Sequence, residues 1–208
     1  MATFNNTITG TGDSLFGSSS DQLVLGTENA QWMGSQYSNS CVVGAGGSDT
    51  FIAASNVAGA NGVGVGTTFT GNSGNDSFNF GTFGLTSVVI AAGADNDAVV
   101  VRGSVVDSSV QGARGLDTIE LLGAISNSTV GAGADNDSVV LGGVATGVNV
   151  ALGSGADTLY VSNTITGSFV DAGGDNDSLA FNNLVAGSTV LAGDGADTIT
   201  AQRGITGS

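Results

Sequence analysis

The chain has no lysine, no histidine and no proline, a single cysteine, and three arginines in 208 residues. Without an imidazole or a lysine amine, and with Cys41 alone, it cannot assemble a Cys/His zinc set, a Schiff base or the common nucleophile-and-base pairs. An enzymatic function is therefore not expected. The scattered cations Arg102, Arg114 and Arg203 form no basic cluster, which argues against nucleic acid and anionic membrane surfaces as partners. No run of about 18 apolar residues is present to span a membrane. Residues 1–6 lack the basic and apolar regions of a cleaved secretory signal, so export is expected to use another route. Cys41 has no second cysteine to pair with inside the chain, which leaves the redox compartment open.

What is present is acidic and small. Eighteen Asp and Glu give a net charge of −15, so cations are the expected partners. The 36 glycines, with an apolar content dominated by Ala and Val, suit tight turns and thin strands.

The organising feature is a repeat. Asp97, Asp117, Asp137, Asp157, Asp177 and Asp197 fall at a strict interval of 20; upstream, Asp76, Asp49 and Asp21 follow at steps of 21, 27 and 28. This gives nine repeats, with insertions near 26–40 and 56–68 in the N-terminal ones. Apolar columns keep the same phase: Ile90, Val110, Val130, Val150, Val170 and Val190; Val99, Ile119, Val139, Leu159, Leu179 and Ile199; Val101, Leu121, Leu141, Val161 and Phe181. A further column, Val105, Ile125, Ala145, Ile165, Val185 and Ile205, lies beyond a small-residue corner. Apolar and small polar positions alternate around each Asp, as in a strand with one buried face, and glycine recurs too often for helix. The expected fold is all-β: residues 1–208 as one parallel β-solenoid, β-roll-like, of about nine coils of roughly 20 residues with two short strands per coil. At about 4.8 Å per coil the rod would be roughly 43 Å long. Phe51, Phe78 and Phe80 are expected to fill the N-terminal coils.

The Asp corners come in two kinds that alternate, so the deeper period is 40. One reads Ala92-Gly93-Ala94-Asp95-Asn96-Asp97 and recurs at Asp135-Asn136-Asp137 and Asp175-Asn176-Asp177; the other reads Leu152-Gly153-Ser154-Gly155-Ala156-Asp157. Ala192-Gly193-Asp194-Gly195-Ala196-Asp197-Thr198-Ile199-Thr200 is similar to the RTX nonapeptide G-G-x-G-x-D-x-U-x, and the likeness covers the Asp corner and following strand of most repeats. In that family turn carbonyls and the Asp carboxylate coordinate Ca²⁺ between stacked coils. The resemblance implies calcium at Asp97, Asp117, Asp137, Asp157, Asp177 and Asp197; the repeat register adds Asp21, Asp49 and Asp76 as expected ligands, and Asp95, Asp135 and Asp175, which stand where the family motif has its second turn glycine, would add a second carboxylate in alternate coils. The chain departs from the family in its 20-residue coil and in carrying the motif on one edge only; the other edge reads Thr166-Gly167-Ser168 or Ala186-Gly187-Ser188.

Electrostatics points the same way independently. Carboxylates about 4.8 Å apart repel by roughly 0.9 kcal/mol per pair in water and several-fold more when partly buried. Nine aspartates leave eight gaps, and one Ca²⁺ in each would bring +16 against −15. The alternative is that each Asp accepts hydrogen bonds from its own turn amides as an Asx-turn.

Trp32, Met33 and Tyr37, in the first insertion, are read as a surface for a partner or as a lid over the first coil. Cys41 falls in an outward column with Ser109, Thr129 and Thr189, as a free thiol or an intermolecular crosslink. The corner columns Ala94, Arg114, Ala134, Ser154 and Asn96, Leu116, Asn136, Ala156 are too irregular for ice binding, which ranks third among the functions considered. No cap is evident, since Phe4-Asn5-Asn6 matches Phe181-Asn182-Asn183 and Ile205-Thr206-Gly207-Ser208 matches Val185-Ala186-Gly187-Ser188. Open edges of matching chemistry predict head-to-tail homo-oligomers. The expected function is a non-enzymatic, calcium-stabilised structural protein forming an extracellular filament or surface coat, exported by a type I-like route or released with a virion. The second reading is a stalk or binding segment of an adhesin or phage fibre.

Overall fold

The computed structural model describes residues 6–9, 14–17, 22–26, 32–35, 40–52 and 65–208. They form an all-β parallel solenoid of about seven turns at near 20-residue spacing, with no helix among the described residues. Successive coils pair in the register that the columns dictate. Val110 lies opposite Ile90 and Val130, Ile119 opposite Val99 and Val139, and Ile125 opposite Val105 and Ala145.

Each complete turn has three strands, not the two expected. Ser109–Arg114, Thr118–Leu121 and Ile125–Ser126 show the pattern, and their counterparts build sheets of ten, ten and seven strands. The third wall escapes sequence reading because a two-residue strand is too short to display alternation. Glycine sets how closely the coils approach: a Cβ on Gly123 would lie 2.1 Å from the carbonyl oxygen of Gly103 in the coil before.

The N-terminal end also differs from expectation, and the nine-coil count does not follow from the seven complete turns. Ser14 pairs with Trp32 and Trp32 with Thr50, two steps of 18 residues in one sheet. Trp32–Ser35 is thus a strand of the stack within the stretch expected as an insertion, and the 28-residue step from Asp21 to Asp49 is not one coil. Asp21, Tyr37 and residues 56–64 lie outside the described residues.

The predicted apolar columns form the core. Val110, Val130, Ile119, Leu121, Val139, Leu141 and Ile165 are fully buried, each worth about 1.5–3 kcal/mol relative to exposure. Phenylalanines fill the N-terminal coils: Phe51 and Phe78 stack with ring centres 4.2 Å apart, and Phe69 and Phe80 pack beside them at 4.9 Å. At the other end the columns stay open. Ile199 is 43% exposed and Ile205 50%, whereas Leu179 and Val185, one coil earlier, are at 1% and 0%.

Candidate functional site

The corner joining the first wall to the second positions the ladder aspartates. Each Asp sits immediately before a second-wall strand, as Asp97 before Ala98–Val101 and Asp117 before Thr118–Leu121. The corner turns through backbone conformations that glycine adopts freely: Gly93, Gly133, Gly153, Gly173 and Gly193 all have positive φ four residues before the Asp. This turn folds the Asp side chain inward. Asp49, Asp76, Asp97, Asp117, Asp137, Asp157 and Asp177 are all buried.

One carboxylate oxygen of each is used in the same way. The amide of Asp97 donates to Oδ1 of Asp117 at 2.8 Å, that of Asp117 to Asp137 at 2.8 Å, and that of Asp137 to Asp157 at 2.7 Å. The chain of bonds runs from Asp49 to Asp197. The donor comes from the preceding coil and not from the Asp's own turn, so these contacts differ from an Asx-turn.

The other oxygen is left over. Oδ2 of Asp76, Asp97, Asp117, Asp137, Asp157 and Asp177 is buried and meets no hydrogen-bond donor. Burial therefore pushes these carboxyls up, with the carboxylates of neighbouring coils adding to the effect and the amide bond opposing it. Asp76, Asp97 and Asp137 rise to about 7, Asp117 and Asp157 to about 6, and Asp177 rises as well. A row of buried acceptors without donors is costly unless protons or cations reach it.

The surroundings of Oδ2 decide which cations could be held. Among the described residues no three His, Cys, Asp or Glu side chains converge, so the ladder offers no all-carboxylate cage. It offers one carboxylate oxygen per coil together with backbone carbonyls. At Gly71 the space of the missing Cβ lies 2.1 Å from Oδ2 of Asp76 and 2.2 Å from the carbonyl oxygen of Ala92. Gly112 stands in the same relation to Asp117 and the carbonyl of Ala132, and Gly44 to Asp49 and the carbonyl of Gly71. A donor set made only of oxygens fits a hard cation such as Ca²⁺.

Asp95, Asp135 and Asp175, expected as second ligands, are exposed on the outer side of the corner. Oδ2 of Asp95 accepts from the amide of Gly74 in the coil before it at 3.0 Å, and Oδ2 of Asp135 from Gly115 at 3.3 Å. Their asparagine neighbours reach the other way. Oδ1 of Asn96 accepts from Leu116 at 2.8 Å, Asn136 from Ala156 at 2.8 Å and Asn176 from Ala196 at 2.7 Å. The 40-residue period thus has a physical basis: at Asp95-Asn96 and Asp135-Asn136 the corner clasps the coil on each side, and the alternate corners supply the amides, while at Asp175-Asn176 the Gly155 amide goes to the Gly174 carbonyl instead.

A second ladder escapes the sequence reading. Oγ of Ser108 accepts from the amide of Val88 at 3.0 Å and donates to the carbonyl of Val106 at 2.8 Å; Ser128 accepts from Ser108 and donates to Ser126. Ser168, Ser188 and Ser208 repeat the pattern. A hydroxyl both donates and accepts, so this ladder is complete without an ion, whereas a carboxylate can only accept. A serine ahead of a strand resembles any polar turn residue, and only the recurrence of Ser108, Ser128, Ser168 and Ser188 at multiples of 20, with Val148 interrupting the column, marks it.

Cys41 is a free thiol, half-buried, with burial raising its pKa. Its pairing with Leu23 and Thr68 places it in the outward column expected for it. No protein-family model, curated protein or solved structure matches the chain.

Proposed function

We propose that the chain is a non-enzymatic structural protein related to the RTX repeats, whose aspartate ladder is held by calcium and whose coils stack end to end into an extracellular filament or coat. The observation that carries this reading is the row of six buried Oδ2 atoms without donors, from Asp76 to Asp177. Calcium would take these oxygens with carbonyls such as those of Ala92 and Ala132. It supplies the positive charge that lets successive carboxylates stack. Sites with few carboxylates bind at about 10⁻⁴–10⁻³ M, which matches extracellular calcium.

Assembly is read from the repeat itself: because coils of one register stack throughout the rod, as Leu179 on Ile199 and Val185 on Ile205, coils of a second copy have the same pairing chemistry. A coil of the same kind would cover Ile199 and Ile205 and pair with the strands Thr198–Ala201 and Ile205–Thr206, as Leu179 and Val185 are covered within the rod. The N-terminal strands are taken as coils of the same rod, so the coil number exceeds the seven complete turns. Sedimentation and electron microscopy in millimolar calcium test the reading. Filaments that Ile205→Lys abolishes, through an unpaired ammonium buried at the junction, are expected. A calcium-bound wild type that stays monomeric at high concentration would instead favour a stalk within an adhesin or virion fibre.

A further inference from the structure

The ladder coils are not equivalent, and the difference lies five residues before each aspartate. Gly44 stands there for Asp49, Gly71 for Asp76 and Gly112 for Asp117, whereas Ala92, Ala132, Leu152 and Ala172 stand there for Asp97, Asp137, Asp157 and Asp177. In the glycine-backed coils two acceptor oxygens crowd the volume of one absent methyl. A Cβ on Gly71 would lie 2.1 Å from Oδ2 of Asp76 and 2.2 Å from the Ala92 carbonyl; on Gly112 it would lie 2.3 Å from Oδ2 of Asp117 and 2.6 Å from the Ala132 carbonyl. Neither Oδ2 meets a donor, and Asp76 and Asp117 are each only 2% exposed. Lone pairs facing each other in a buried space repel unless a positive charge or a proton donor lies within reach of both. In the other four coils the side chain of Ala92, Ala132, Leu152 or Ala172, each fully buried, occupies that volume.

We propose that the glycine-backed coils of Gly71 and Gly112 hold calcium more tightly than the alanine- and leucine-backed ones, one ion taking Oδ2 of Asp76 with the Ala92 carbonyl and another taking Oδ2 of Asp117 with the Ala132 carbonyl. Gly71 and Gly112 act as specificity residues by leaving the carboxylate and the next coil's carbonyl open to the same ion. The inference rests on the calcium reading above and divides its sites into two classes. A rod with strong sites at a few coils and weak ones elsewhere would keep some coils charged with calcium when the bulk concentration falls.

Equilibrium dialysis of the full chain against calcium, with elemental analysis of bound ions, counts the tight class directly. Ala132→Gly opens the same hollow beside Asp137 and is expected to add one tight ion per chain. Asp117→Asn keeps Gly112 and the Oδ1 acceptor, and is expected to lose one. Gly112→Ala should lose the same ion, and Asp117→Asn carries the test if that variant fails to fold. Asp157→Asn, in a leucine-backed coil, should leave the tight count unchanged. A wild type that binds calcium while Ala132→Gly and Asp117→Asn leave the tight count unaltered would overturn the assignment of sites but not the calcium reading. A wild type that binds no calcium would overturn both.

Discussion

The amide of Asp117 donates to Oδ1 of Asp137 across 2.8 Å, so each ladder carboxylate is oriented by the coil before it and turns its second oxygen into the corner. The serine ladder on the next corner closes its own hydrogen bonds, as Ser128 does with Ser108 and Ser126. The two ladders share a spacing and differ in chemistry: one completes itself and the other needs something positive. That asymmetry is why the proposed cation is assigned to the aspartate corner.

Ladder and surface aspartates should respond differently to truncation. In millimolar calcium, Asp137→Ala strips the acceptor from the buried Asp117 amide and is expected to cost about 1–3 kcal/mol. Asp171→Ala, on the half-exposed outer face of the first wall, should stay within about 0.5 kcal/mol. Urea denaturation of the two variants checks this, and equal losses would mean that the Asp137 contact is not a support of the fold.

The pH dependence without calcium should run opposite to that of most proteins. Asp76, Asp97 and Asp137 are raised to about 7 in the folded chain, above the value of 3.8 for a free carboxyl. The folded state then binds protons more tightly than the unfolded state, so stability is lowest above pH 7, grows as pH falls from about 7 to about 4, and levels off below. Calcium needs the ionised form, so saturating calcium should remove this gain on acidification. Melting curves in EDTA between pH 8 and 4 check it; a melting temperature that falls steadily across that range would count against the buried, unpaired oxygens.

Ala113 occupies a corner position where the coils on both sides have glycine, and its φ of 100° matches Gly93 and Gly133 at 127° and 126°. Side chains are strained there, so Ala113→Gly is expected to stabilise by about 1 kcal/mol. The reverse change, Gly133→Ala, should destabilise by more, because its Cβ would lie 2.2 Å from the Ala113 carbonyl oxygen. Thermal melts of both variants decide the matter, and a neutral Ala113→Gly would contradict the strain.

The alternating corners make two coils the unit that can be removed cleanly. Deleting residues 118–157 keeps an Asp-Asn corner beyond Gly115-Leu116, whereas deleting 118–137 brings two corners of the other kind together. The shorter deletion loses the Asp135 acceptor for Gly115 and the Asn136 acceptor for Ala156. The chain missing 40 residues should therefore melt at least as high as the chain missing 20. A clear advantage for the shorter deletion would show that the clasps contribute little.

The 20-residue columns made most of the rod legible, because a parallel coil places Val110 on Val130 whatever the details of its turns. Asp97 through Asp197 could be placed at one corner for the same reason. The third wall was hidden because Ile125–Ser126 is too short to carry a pattern. Asp95 and Asp97 look alike as letters, yet one is exposed and the other buried, since the positive φ of 76° at Asp95 turns the chain between them. At the N-terminal end the step shortens to 18 residues from Ser14 to Trp32 to Thr50, and Gln31 precedes Trp32 where Asp13 and Asp49 precede Ser14 and Thr50, so the spacing of aspartates does not reveal that coil.

The central claim is that a cation completes the aspartate ladder, and calorimetric melting of the full chain at pH 7.5 in EDTA and in rising calcium tests it most directly. Stability should grow with free calcium, by about 2.7 kcal/mol per site at a hundredfold excess over Kd. A melting temperature that is the same in EDTA and in millimolar calcium would contradict the account.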